Sequence, residues 1–176
     1  DDRGTGQEAG TEPCYNVFDN CRCWNNGHHG FAIEYQKNLI MKNCSAWNNG
    51  NCGFYLTGLE DSEISDCTSF GNNANPSKTY YGIYIRGDSH YTGEDNTFTN
   101  VIVKNTQNDR SGIGIYNSNN TTFIDCESYD DQSTKTQKYG LQINDDVSGV
   151  TLDNCKLSPN KYGEIYNRAG ATITRN

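Results

Sequence analysis

The stretch IYIRGDSHY, residues 83–91, sets an arginine, Arg86, a few residues ahead of His90 and Tyr91, and two lysines, Lys78 and Lys138, stand in other polar segments. A planar guanidinium can grip both oxygens of a carboxylate. An imidazole, an ammonium or a phenol within reach can take up or release a proton. Together they suit a reaction that begins with a neutralised carboxylate and proceeds by proton transfer, so Arg86, Lys138 and His90 are the candidate catalytic residues. Carboxylates fall in the same segments: Asp88, Glu94, Asp95, Asp130, Asp131, Asp145 and Asp146. Oxygen ligands of this kind suit calcium, and the first five are the candidate metal ligands. Tyrosine is abundant, 12 of 176 residues. Tyr55, Tyr81, Tyr84, Tyr116 and Tyr139, with Gln142, offer flat apolar faces and hydrogen-bonding tips of the kind a sugar ring accepts.

These residues are far apart in the chain, so a repeat must bring them together. NCRCWNNGHHGFAI (20–33) and NCSAWNNGNCGFYL (43–56) are near-copies. Cys21 to Cys44 and Cys44 to Cys67 are both steps of 23 (44 − 21 and 67 − 44), and Val101, Cys126 and Cys155 continue the column in similar local patterns. Apolar residues precede it (Phe18, Met41, Ile64, Phe98, Ile124, Leu152), and immediately before it stand Asn20, Asn43, Asp66, Asn100, Asp125 and Asn154. After a variable stretch comes a glycine and then alternating apolar pairs: Phe31/Ile33, Phe54/Leu56, Ile83/Ile85, Ile113/Ile115, Leu141/Ile143.

Alternation with period two means short strands with one inward face. A fixed period near 23, with about three strands per repeat broken by Asn and Gly, describes the coils of a parallel β-helix. Helical solenoids fail for want of any long 3.6 period. The Asn/Asp column fits a left-handed bend between two strands, and Asn-Asn-Gly reads as the turn into the next strand. The fold class is thus all-β: a single-stranded parallel β-helix of about six coils, over residues 14–176. Residues 1–13 are an N-terminal segment or the remnant of a preceding coil.

Function is sought where the columns are interrupted. Cys67 to Val101 is a step of 34 (101 − 67), which is 11 more than 23. The extra length lies in GNNANPSKTYYG (71–82) and GDSHYTGEDN (87–96), and a third long loop is DDQSTKTQKYG (130–140). Loops before and after one strand stack would wall a groove across that sheet. Alternation gives its outward residues: Ala32/Glu34, Tyr55/Thr57, Tyr84/Arg86, Gly114/Tyr116 and Gln142/Asn144. Tyr166 and Arg168 follow in the last coil, where Glu164 stands at the usual inward position and leaves the register open.

The pattern resembles the pectate-lyase-like superfamily of right-handed parallel β-helices, which includes polysaccharide lyases, uronan epimerases and some glycosidases; phage tailspikes share the architecture. The resemblance covers about residues 14–175 and rests on scaffold residues. It implies a right-handed helix and a polysaccharide, an acidic one included, in the groove. Family catalytic signatures are missing: no Asp-Pro-His-Asp of alginate epimerases occurs. GHHG (27–30) is similar to the Gly-His-Gly of polygalacturonases without their paired-Asp motifs, and it aligns with GNCG (50–53) as a turn. Two functions follow as expectations. One is β-elimination on a uronic-acid polysaccharide, in which a cation neutralises the C5 carboxylate, a base takes the C5 proton and a donor meets the leaving oxygen. The other is a non-catalytic glycan-binding or structural module of a surface protein or viral tailspike.

Composition agrees with an extracellular solenoid, secreted or at the cell surface: 24 Asn, 33% hydrophobic residues and mean hydropathy −0.87, with the apolar residues columnar rather than scattered. No stretch is long and apolar enough to cross a membrane, and none has the form of a signal peptide. The opening DDRGTGQEAG suits a mature terminus or a domain from a larger protein. Net charge −8 argues against nucleic acid and anionic membrane as partners; oligomeric state is left open. The column cysteines are expected to be reduced. Parallel side chains roughly 4.8 Å apart exceed the about 3.5–4.5 Å that a disulfide's Cβ atoms prefer. Cys14, Cys23 and Cys52 lie outside the column, which leaves a bridge among them open.

Overall fold

The computed structural model of the chain describes residues 15–89 and 91–176. All its sheets are parallel, and the first five coils each contribute one strand to each of three main stacks, which the last strands extend. The first stack has seven strands: Val17–Asp19, Ile40–Lys42, Glu63–Ser65, Thr97–Thr99, Thr121–Ile124, Val150–Asp153 and Ile173–Arg175. The second has five: Arg22–Trp24, Ser45–Trp47, Thr68–Phe70, Ile102–Lys104 and Glu127–Tyr129. The third has six: Phe31–Glu34, Phe54–Thr57, Ile83–Arg86, Ile113–Tyr116, Tyr139–Ile143 and Gly163–Asn167. A short fourth pair joins Gly93–Glu94 to Ser118–Asn119. The expected β-helix is the fold.

Its register follows the columns read from the sequence. Met41 opposes Phe18 and Ile64, and Phe54 opposes Phe31 and Ile83. The residue before each column member bends the chain: Asn20, Asn43, Asp66, Asn100, Asp125 and Asn154 all take left-handed backbone, with φ between 50° and 56°. Short amides tolerate that conformation, and they also pair along the stack. Asn43 Nδ2 donates to Asp19 at 3.0 Å, Asn100 to Asp66 at 2.7 Å and Asn154 to Asp125 at 2.6 Å. Inside the bend, Cys44 and Cys67 are fully buried, their thiols donating to the carbonyls of Lys42 (3.2 Å) and Ser65 (3.1 Å).

Two expectations need correction. Phe123, not Ile124, occupies the apolar column ahead of Cys126. It opposes Phe98 and Leu152 and stacks on Phe98 at 5.1 Å, whereas Ile124 points outward and is half-exposed. Strand alternation decides this, since Phe123 stands three residues before its cysteine as Met41 does before Cys44. Asn-Asn-Gly, moreover, is more than a turn. Its first member bends the chain, at φ 54° in both Asn25 and Asn48. Its second turns inward and builds a ladder. Asn49 accepts from Asn26 and donates to Asn72 at 2.9 Å, and Asn72 Nδ2 donates to the Ala46 carbonyl at 2.8 Å. Asn49 and Asn72 have no exposed surface. Further along, Gln137 accepts from the Thr106 amide (3.1 Å) and donates to Asn160 (2.9 Å) in the same place.

The ladder explains the glycines Gly30, Gly53 and Gly112 before third-sheet strands, whose Cβ atoms would strike Asn49, Asn72 and Gln137. A Cβ on Gly112 would lie 2.1 Å from Ser128 Oγ and 2.6 Å from Gln137 Nε2. In the last coil the register settles one residue later than the glycine suggests: Ile165 opposes Leu141, Tyr166 opposes Gln142, and Glu164 is exposed. The seven described cysteines are all free thiols, Cys23 and Cys52 among them, while Cys14 and segment 1–13 lie outside the described residues.

Two outcomes test this interior. Asn72→Ala removes the acceptor of the Asn49 side chain and amide and the donor to Ala46. At roughly 1–3 kcal/mol for each buried polar group left unpaired, it should lower unfolding free energy by about 3 kcal/mol or more in urea titration. Cys44→Ala, a loss of packing alone, should cost about 1–2 kcal/mol. Burial pushes the Cys52 and Cys67 thiols up to about 12. Only thiolates react quickly, so alkylation of the native protein at neutral pH should label partly exposed Cys21 and Cys23 and spare Cys52 and Cys67. Equal labelling of all four would refute the thiol packing.

Candidate functional site

The outward columns of the third sheet are as expected: Ala32, Tyr55, Tyr84, Gly114, Gln142 and Tyr166 lie in line, beside Glu34, Thr57, Arg86 and Tyr116. The loop 71–82 comes down onto this face. Tyr80 lies 4.9 Å from His29 and 6.2 Å from Tyr55, and His29 packs on Tyr55 at 4.5 Å. Tyr81 reaches further. Its ring covers Gly114, where a Cβ would sit 2.5 Å from ring carbons, and its hydroxyl accepts a hydrogen bond from Asn144 Nδ2 at 3.1 Å. Tyr84 lies beside it at 4.8 Å.

The first half of the sheet is therefore filled by its own aromatic rings, and the open space lies over the second half. There a cleft of about 290 Å³ is lined by Thr79, Tyr81, Tyr84, Asp109, Arg110, Tyr116, Lys138, Gln142, Asn144, Asp145 and Arg168. Of the candidate residues, Tyr81, Tyr84, Tyr116, Gln142 and Lys138 line this cleft. Tyr55 and Arg86 do not. Arg86 turns back, donating to the Tyr55 hydroxyl at 3.2 Å and to the Gly87 carbonyl at 3.3 Å, with its guanidinium 5.9 Å from the Tyr84 ring centre. Tyr139 stacks on Tyr166 at 5.4 Å at the edge of the cleft, and Lys138 Nζ stands 6.0 Å from its ring centre. His90 lies outside the described residues.

The acidic residues do not gather. Asp130 is buried within its own loop, its carboxylate accepting the backbone amides of Gln132 (3.0 Å), Thr136 (2.6 Å) and Gln137 (2.7 Å). Asp131 faces Lys104 at 3.6 Å and Asn105 at 2.7 Å, contacts that hold its carboxyl below the usual range. Asp88 accepts from the Tyr35 hydroxyl (2.5 Å) and the Tyr91 amide (3.0 Å). Glu94 is an exposed member of the short fourth pair, and Asp95 forms a left-handed corner at φ 53°. Among the described residues no three His, Cys, Asp or Glu side chains converge as a metal site.

Arg110 and Asp109 are absent from the expected set. In the sequence they stand in a coil of ordinary length, outside the three long loops, although the Arg110 backbone bridges to Gln137 of the loop 130–140. The signal lies two residues before the glycine that opens each third-sheet strand, where the sequence has His28, Asn51, Tyr80, Arg110, Lys138 and Lys161; of these, Arg110 and Lys138 line the cleft.

The sequence model described as the right handed beta helix region matches residues 4–98 and again 81–176. The chain belongs to the right-handed β-helix family. No curated protein matches its sequence. Its fold is similar to that of the A-module of mannuronan C-5 epimerase AlgE4 from Azotobacter vinelandii, with TM-score 0.55 and 13% identity over 92% of this chain. The match spans 55% of that module, so this β-helix covers about half its length. Among the described residues no helix is long and apolar enough to cross a membrane.

In the filled half of the sheet, against Tyr55 and Tyr80, His29 is held neutral. Burial lowers its pKa from 6.5 to about 4, and its Nδ1 accepts the Cys52 amide at 3.3 Å, which leaves the proton on Nε2. The folded value lies below the unfolded one, so the unfolded chain takes up the proton first. This site therefore costs the fold stability as pH falls from about 6.5 towards about 4, and costs nothing above that window. Proton NMR should show His29 titrating well below the 6.5 of a free imidazole; a His29 midpoint near 6.5 would contradict the buried placement.

Proposed function

We propose that the cleft over the third sheet binds a uronic-acid-containing polysaccharide, presented outside the cell or at its surface. One observation carries this reading: in a chain of net charge −8 the cleft holds cations that its own carboxylates do not neutralise. Asp109 is matched by Lys161 at 2.6 Å and Asp145 by Arg168 at 3.3 Å. Arg110 and Lys138 face the cleft with no carboxylate in ion-pair range among the described residues. Arg110 Nε is buried and has no hydrogen-bond partner among them. Beside these cations, Tyr81, Tyr84 and Tyr116 supply the faces on which a sugar ring stacks. The name of the similar module, a mannuronan C-5 epimerase, points to the same class of ligand.

Lyase-type β-elimination is the second reading, favoured by a phenol that lines the same cleft as the cations. Arg110 and Lys138 would neutralise the C5 carboxylate. Burial pushes the Tyr84 hydroxyl up to about 12, so it stays protonated and suits the leaving oxygen as a donor. The same shift unsuits it as the base for the C5 proton, and His29 keeps its proton on the outer nitrogen. Binding is accordingly the function the geometry supports best.

Calorimetric titration with oligogalacturonate and oligomannuronate tests the reading, with ultraviolet absorbance following any unsaturated product. Arg110→Ala and Lys138→Ala should each weaken binding about tenfold, the loss of one charge-assisted contact, with unfolding midpoints little changed. Equal affinity for a neutral oligosaccharide of the same length, or parental affinity in both variants, would count against it.

A further inference from the structure

We infer that Tyr81 is a specificity-determining residue that closes the cleft towards the first coils, so that the site takes the end of a uronan chain, or a short oligosaccharide, rather than an internal stretch. The inference rests on the reading of the cleft as a uronan site. It comes from where the sheet lacks a side chain. Of the residues outward in line on the third sheet, Gly114 alone has none. The vacancy is filled from outside: Tyr81 lays its ring there, at 2.5 Å from the position of a Cβ, and is pinned by the hydrogen bond from Asn144 at 3.1 Å.

Tyr81 therefore crosses the face of the sheet between Tyr84 and Asn144. The aromatic packing continues without a break behind it, from Tyr81 to Tyr84 (4.8 Å), Tyr55 (6.0 Å) and His29 (4.5 Å). A polysaccharide lying along the stack meets the cleft and then this wall of rings. The space agrees with that limit: about 290 Å³ lies just below the roughly 300–1,000 Å³ of small-molecule sites, room for one or two sugar rings.

The test compares affinity for oligouronides from dimer to octamer, by calorimetry, in the parent and three variants. In the parent, affinity should level off at the dimer or trimer. Tyr81→Gly opens the wall, and Gly114→Ala evicts the ring without deleting it. Both should bind the octamer about tenfold more tightly than the dimer. Tyr81→Phe keeps the ring, loses only the bond from Asn144, and should retain the parental plateau. Octamers with the reducing end converted to the alditol identify which terminus is held. Affinity that climbs steadily with length in the parent overturns the inference while leaving the uronan reading intact. A plateau unchanged in folded Tyr81→Gly overturns it too, and no binding at any length overturns both readings.

Discussion

A solenoid one chain wide has no second layer to absorb an error of register. Each coil's backbone must meet its hydrogen-bond partners in the coils on either side, so the chain has to turn at the same places on every circuit. Residues with left-handed backbone fix those places. The Asn/Asp corners before the cysteine column all lie within a few degrees of one another, and Asn25, Asn48, Gly71 and Asn105 repeat the device at the next corner. Most side chains would be strained there, whereas a short amide is tolerated. The high asparagine content follows from this requirement, and so does the low hydropathy of a chain with a continuous core.

The same constraint decides where the chain can vary. Within strands the coils match residue for residue, so added length is expelled at the corners, as in 71–82 and 130–140. Loops of this kind need anchors of their own. Buried Asp130 supplies one, gathering three amides of its loop. Asp88 supplies another by accepting from Tyr35 and Tyr91. Carboxylates that sequence inspection counts as metal ligands are here engaged in holding insertions against the stack. Loop 71–82 is held differently, by setting two tyrosines on the third sheet, and this turns an insertion into part of the site.

What could be read from the sequence was whatever recurs once per coil. The columns through Met41, Cys44 and Phe54 repeat in residue type as well as spacing, so strands, corners and inward faces could be assigned before any coordinates. Phe123 was displaced by Ile124 because two apolar neighbours satisfy the pattern equally until positions are counted back from the cysteine. The amide ladder was hidden for a different reason: corner and ladder use the same residue, and Asn48 and Asn49 differ in role through backbone angle alone. Arg86 stands in the outward column, as alternation requires, but no pattern says that a guanidinium will bend back to Tyr55 rather than reach outward. Arg110 stands in a coil without a long loop, so loop length does not single it out.

The placement of charge bears on how such a cleft could select its ligand. A polyanion approaching a surface of net charge −8 is repelled overall, and that repulsion acts over a screening length of about 8 Å at physiological salt. Arg110 and Lys138 attract at shorter range, inside a recess whose own carboxylates are matched by Lys161 and Arg168. A long uronan laid across the sheet would set many of its carboxylates against the acidic exterior for every one placed in the recess. A chain terminus sets few. The electrostatic balance thus favours the same ligand as the aromatic wall at Tyr81: a short length of acidic sugar, held at its end by two cations, with the rest of the chain directed away into solvent.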